Sequence, residues 1–174
     1  MQPLTPDPLA SLPGAAQASD QAGSGERPAW CLERRVLPQH TDHAGVMWHG
    51  AYLAWLEEAR VEALAAAGLA YSDLSARGLE LPVLSLAIDY RQALLHGERV
   101  RVWSEVQPRR GVKLPWISRF VRTDGGVAAE ARVELALVDL SRGPNRRRLL
   151  RKLPDDLEGA VQRLLEGPQG EALL

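Results

Sequence analysis

One stretch of helical periodicity is followed by four strand-like runs with no second long helix between them. That order restricts the chain to an α+β arrangement, with the helix segregated to one face of an antiparallel sheet. Across 51–67, Leu53, Leu56, Arg60, Ala63, Leu64 and Ala67 recur at three- and four-residue steps, alanine fills the gaps, and Gly68 supplies a stop. Such a helix is roughly 25 Å long, enough to lie across several strands. The strand-like runs cover about 83–91, 99–107, 112–122 and 127–140, separated by turn signals at His96-Gly97, Arg109-Arg110-Gly111 and Asp124-Gly125-Gly126. In the second run Val100, Val102, Ser104 and Val106 alternate with Arg99, Arg101, Trp103 and Glu105, the pattern of a strand with one face on a helix. Val112, Leu114, Trp116 and Phe120 repeat it in the third. An earlier run, 30–37, reads as a strand ended by Pro38, and a short helical piece is expected around 72–77. A C-terminal helix capped near Asp155 carries Leu157, Val161, Leu164 and Leu165 on one side.

Composition removes several function classes. With 174 residues there is room for one core but not two. Basic and acidic side chains number 21 and 22, a formal charge of −1, which argues against a general nucleic-acid binder. Cys31 is the single cysteine, so no internal disulfide or cysteine-based zinc site can form, and a cytoplasmic location follows naturally. No apolar run approaches the ~20 residues that a membrane span needs. Residues 1–29 hold five prolines and few bulky apolar groups after Leu12, the composition of a disordered segment, and they lack the basic start and apolar centre of a secretory signal or the arginines of a transit peptide. The domain is therefore expected over 30–166, with 167–174 a frayed tail.

The chemistry concentrates just before the long helix. Asp42 lies among His40, Thr41, His43 and Gly45, a helix-breaking run seven residues ahead of the expected helix entry at His49-Gly50. A carboxylate in that position can work beside the free N–H groups and positive dipole end of a helix, where a developing oxyanion is stabilised without a side chain. Asp42 read alone is more readily a turn-forming or N-capping residue. The three histidines with Asp42 have the ligand types of a metal site but no helical spacing that puts two on one face. Nucleophilic-serine, phosphate-loop and dinucleotide fingerprints are absent, and no metal or redox cofactor is expected.

From Asp42 to Arg60 the pattern Asp-x-x-Gly-Val-(apolar)-(aromatic)-His-x-x-Tyr-Leu-x-Trp-(apolar)-Glu-x-Ala-Arg resembles the signature of hotdog-fold acyl-CoA thioesterases of the 4-hydroxybenzoyl-CoA thioesterase type. The likeness extends over about 30–165. It implies the hotdog fold, an antiparallel sheet wrapped around the central helix, and an acyl-CoA substrate with water as co-substrate. It also implies a homodimer or homotetramer with the active site between subunits. Asp42 takes the position of the family's catalytic acid, and the backbone N–H groups of His49 and Gly50 that of its oxyanion site. Trp48, Tyr52 and Trp55, with Trp116, are candidates to line a flat acyl slot. The turn bearing Arg109, Arg110 and Lys113 matches a basic turn that suits the phosphates of coenzyme A, and Arg146, Arg147 and Arg148 form a second candidate. The run from Met47 to Arg60 is similar to that of 1,4-dihydroxy-2-naphthoyl-CoA hydrolases of quinone biosynthesis. Aliphatic acyl-CoA hydrolysis, or binding of acyl-CoA or acyl carrier protein without turnover, are the other readings. The chain has Ala51 and Pro38 where some relatives carry Asn and Tyr. Another branch of hotdog thioesterases uses a helix-borne carboxylate, which makes Glu57, Glu58 and Glu62 rivals to Asp42. Glu57 is expected to pair with Arg60, and the other two to be solvated.

Overall fold

The computed structural model describes residues 30–143 and 146–167. The expected disorder of 1–29 and all but the first residue of the expected tail lie outside the described residues. In chain order the elements are β1 (Trp30–Arg35), α1 (His49–Ala66), α2 (Tyr71–Ala76), β2 (Leu79–Glu80), β3 (Val83–Tyr90), β4 (Arg99–Val106), β5 (Lys113–Arg122), β6 (Val127–Ala136), β7 (Val138–Asp139), β8 (Arg148–Leu149) and α3 (Asp155–Glu166).

Five strands form one antiparallel sheet in the order β1-β4-β5-β6-β3. The alternation read from the sequence sets its faces. Val100, Val102, Ser104 and Val106 of β4 are buried, as are Leu114, Trp116, Ser118 and Phe120 of β5. The two serines would leave unpaired hydroxyls in the core, but Ser104 and Ser118 face each other in register and their oxygens meet at 2.7 Å. Pro115 is tolerated in the central strand because the β4 ladder has already ended at Val106↔Trp116.

α1 lies on this inner face, giving the α+β hotdog arrangement. Its buried stripe is Ala51, Tyr52, Trp55, Leu56, Ala59, Ala63 and Leu64, with Phe120 of the sheet meeting the Tyr52 ring at 4.9 Å and stacking on Trp55 at 6.5 Å. Leu53 is 41% exposed, so the apolar stripe is centred on Tyr52 and Trp55 instead. Small side chains at 51, 59 and 63 let the helix approach the sheet, and Gly68, at φ +83°, ends the helical run as expected. From α3, Arg163 Nε donates to the Ala67 carbonyl at 2.7 Å, satisfying one of the acceptors that the end of α1 leaves open.

The expected strand over 127–140 divides. β6 stays with β3 as far as Val83↔Leu135, the preceding residue on the β3 side is Pro82, and the chain then turns into β7. There it pairs with β2 on one side and β8 on the other as a separate three-stranded sheet. No two-residue strand of this kind carries a periodicity of its own, so the sequence signals neither β2 nor β8. No helix among the described residues is long and apolar enough to cross a membrane.

Candidate active site

The loop between β1 and α1 is held by backbone bonds at both ends. Val36 N–H donates to the Glu98 carbonyl at 2.9 Å, and Met47 N–H donates to the Leu94 carbonyl at 2.8 Å. Inside the loop, Asp42 N–H donates to the Val46 carbonyl at 2.9 Å and Gly45 N–H to the Asp42 carbonyl at 3.0 Å. Closing so tight a bend requires a left-handed residue, which Gly45 supplies at φ +75°. The Asp42 side chain completes the bend, Oδ1 accepting the N–H groups of Ala44 at 2.8 Å and Val46 at 3.2 Å. Oδ2 has no hydrogen-bond donor among the described residues. One oxygen therefore fixes the carboxylate and the other is left for chemistry.

Because nothing lies within 4 Å of a Cβ placed on Gly45, Gly45→Ala tests the backbone requirement alone. The left-handed conformation should cost about 1 kcal/mol, a fall of about 2–4 °C in the thermal midpoint, and turnover should drop with it. An unchanged midpoint in a thermal melt would show that the bend does not need glycine.

The helix begins where the loop ends. Trp48 N–H is taken by the His40 carbonyl at 3.0 Å and Ala51 N–H by the Trp48 carbonyl at 3.0 Å. Between them, His49 and Gly50 contribute N–H groups of the first turn, which have no acceptor within the helix. No acidic residue stands in that turn to neutralise its positive end. Asp42, Trp48, His49 and Tyr52 line one cleft of about 1020 Å³, together with Tyr90 at the end of β3 and Arg91 after it. The Tyr52 and Tyr90 rings meet edge to face at 5.1 Å. Burial, reinforced by Tyr90 and Glu98 nearby, pushes the Tyr52 phenol up to about 12, so it stays neutral at any working pH.

Other candidates fall elsewhere. Gly50 itself is not on the cleft wall, because the Trp48 indole lies over it. Trp55 and Trp116 belong to the core, at 3% and 1% exposure, and are not on the cleft wall: the inward stripe of α1 and the inner face of β5 carry them under the sheet. His40 is occupied, its Nδ1 accepting the Leu37 N–H at 3.1 Å and its ring edge-on to Trp55 at 5.2 Å. Glu57 pairs with Arg60 at 2.5 Å, a guanidinium whose pKa burial lowers. Glu62 is exposed, whereas Glu58, expected to be solvated, is held by Arg34 of β1.

The basic turn is remote from Asp42 of the same subunit. Residues 94–98 join the Asp42 loop to the Arg99 end of β4, while Arg109, Arg110 and Lys113 follow the other end of that strand, about 25 Å away at ~3.3 Å per residue. Two of these cations are also engaged. Arg109 Nη2 donates to the carbonyls of Gly111 and Arg151, at 3.2 and 2.9 Å, and Lys113 Nζ lies 2.6 Å from Glu134, whose carboxyl it holds below its usual range. Arg110 is exposed. Of the second cluster, Arg146 and Arg148 are exposed and Arg147 lines a smaller cavity of about 300 Å³ with Glu57, Tyr71 and Glu80.

Tyr90, Arg91 and Gln92 are cleft residues that sequence reasoning missed. Their only local signal is the end of the run 83–91, which Tyr90 and Arg91 close and Gln92 follows. What brings them to the cleft is the pairing of Val46 with Leu95, a contact between segments about fifty residues apart.

Residues 36–162 match the family model described as the thioesterase-like superfamily. Over 121 residues the chain is 40% identical to a putative esterase of Synechocystis sp., covering 69% of this chain and 70% of that one. It is 28% identical over 105 residues to the acyl-CoA thioester hydrolase YbgC of Escherichia coli, covering 60% of this chain and 78% of that one. Among solved structures, the DHNA-CoA thioesterase of Staphylococcus aureus superposes with a TM-score of 0.69 at 23% identity, covering 77% of this chain and 89% of that one, a likeness of fold.

Proposed function

The chain belongs to the thioesterase-like superfamily and is a thioester hydrolase acting on acyl-CoA; from that premise we propose that its acyl group is aromatic and that Asp42 and the first turn of α1 perform the hydrolysis. The observation that carries this is the Asp42 carboxylate, pinned through Oδ1 and unengaged at Oδ2, on the same cleft wall as the start of α1.

Little acid assistance is needed, because the leaving thiol has a pKa near that of cysteine, about 8.5, and departs as thiolate. The thioester oxygen is set against the His49 N–H, the first-turn group on the cleft wall, where charge that develops on it meets an N–H dipole already in position. Asp42 Oδ2 then takes a proton from water as the hydroxide adds to the carbonyl carbon and the C–S bond breaks. In the covalent version Oδ2 attacks the carbon, thiolate leaves, and water cleaves the mixed anhydride. An aromatic acyl group is favoured by the rings of Trp48, Tyr52 and Tyr90 around the cleft, and 1,4-dihydroxy-2-naphthoyl-CoA is the specific candidate. Among the described residues Arg91 is the one Arg or Lys on the cleft wall and is assigned to the CoA phosphates of its own subunit. Arg109, Arg110 and Lys113 are too distant for that, and are assigned to the cleft of a neighbouring subunit. A cytoplasmic setting suits the single Cys31.

Thiol release from a panel of aromatic and aliphatic acyl-CoAs tests this reading. Turnover is expected with preference for the aromatic members; preference for aliphatic chains would overturn the substrate assignment, and binding without thiol release would overturn the enzyme.

The partner is a second copy of the chain. β3 pairs with β6 on one side only, and Val83, Leu84, Leu86 and Tyr90 are 39–54% exposed along it, an edge that a two-fold related β3 would extend and cover. Sedimentation of the purified protein should give a dimer or a tetramer, and Leu86→Lys should shift it toward monomer. A monomeric parent protein would reject this assembly.

A further inference from the structure

We propose that Gly50 is a positioning residue for acyl selection: by having no side chain it seats the Trp48 indole across the start of α1, and the indole so held is the wall on which the acyl group lies. This rests on the thioesterase reading above and adds the residue pair that sets its selectivity.

A Cβ placed on Gly50 would stand 2.1 Å from Cη2 and Cζ3 of Trp48 and 2.8 Å from Cε3. The six-membered ring of the indole thus occupies the place of the missing side chain, and no residue with a Cβ can share it. Backbone conformation does not explain the glycine. Gly50 is absent from the glycines with positive φ and sits in the first turn of α1, where alanine would be the better helix former. What its absent side chain provides is room. The ring is further fixed by His49, whose imidazole meets it edge to face at 5.3 Å and 76°. Trp48 nevertheless keeps 43% of its surface exposed and lines the cleft beside Asp42, His49 and Tyr52.

A large aromatic side chain exposed at a cleft, backed by glycine and edged by histidine, is a flat surface held in one orientation. A planar acyl group stacks on it with offset geometry, while a short aliphatic chain gains little from it. Filling the seat forces the indole off the helix start and changes that wall, while the His49 N–H on the cleft stays where it is.

The test compares kcat/KM for benzoyl-CoA and butyryl-CoA in the parent protein, Gly50→Ala, Trp48→Leu and the double variant. Gly50→Ala should lower the benzoyl-to-butyryl ratio about three- to tenfold, the size of one stacked-ring contact, without lowering the thermal midpoint. Trp48→Leu should lower the ratio similarly. Adding Gly50→Ala to Trp48→Leu should change it no further, because the glycine acts through the indole. An unchanged ratio in Gly50→Ala, or effects that simply multiply in the double variant, would overturn the inference while leaving the hydrolase standing. If the parent protein hydrolyses neither thioester, the functional reading fails and this inference falls with it.

Discussion

Asp42→Asn should reduce kcat by about two to four orders of magnitude with almost no change in stability, the loss expected when a positioned base is removed. The two effects separate because the two carboxylate oxygens have separate tasks. The carboxamide oxygen of asparagine can still accept the Ala44 and Val46 N–H groups that Oδ1 accepts at 2.8 and 3.2 Å, so the bend survives. The unengaged position then carries an amide nitrogen, which neither takes a proton from water nor attacks a carbonyl carbon. Glu57→Gln is the counter-test. It should keep turnover within a few-fold but lower stability, because Arg60, 7% exposed, would lose the carboxylate that compensates its burial. Steady-state rates and melting curves on both variants decide between the two acids. Full activity in Asp42→Asn would move the chemistry to the helix.

Phe120→Ala should be the most destabilising single truncation near the site, costing about 3–5 kcal/mol. Phe120 has no exposed surface, and its ring backs both Tyr52 and Trp55. It also lies on β5, the central strand, where β4 and β6 restrict inward collapse. A domain of this size is stable by only about 5–15 kcal/mol, so the loss is a large share of the total. The cavity would open beneath Tyr52, and KM for an aromatic acyl-CoA should rise even at temperatures where the variant remains folded. Urea unfolding of the parent and variant measures the first effect. A difference below about 1 kcal/mol would mean that the site collapses freely and that Phe120 does not support the cleft.

The helix, the four sheet strands that follow it and the Asp42 bend were legible because each depends on neighbours in sequence. Alternation in β4 is a local property, as are the helical recurrence before Gly68 and the turn-forming residues around Asp42. Position across the fold was not legible. Trp48, Tyr52 and Trp55 sit within one motif, yet Trp48 and Tyr52 line the cleft while Trp55 does not; both Tyr52 and Trp55 meet Phe120, but only Tyr52, nearer the start of α1, also meets Tyr90 at the cleft. The basicity of Arg109, Arg110 and Lys113 was plain, but the length of β4 that separates them from Asp42 is a matter of topology. Tyr90 and Arg91 enter the cleft only through the bridge between Val46 and Leu95, which no local pattern announces. Leu53 misled for a related reason: leucine at a helical interval signals a stripe, but the bulkier Tyr52 and Trp55 decide where its centre falls.

The most direct test is a crystal structure of Asp42→Asn with an aromatic acyl-CoA bound and unhydrolysed. The expected result is a thioester oxygen about 2.7–3.1 Å from the His49 nitrogen, with the carbonyl carbon beside the residue 42 side chain and the acyl ring against Trp48. A thioester bound outside this cleft, or one whose oxygen faces away from the start of α1, would contradict it.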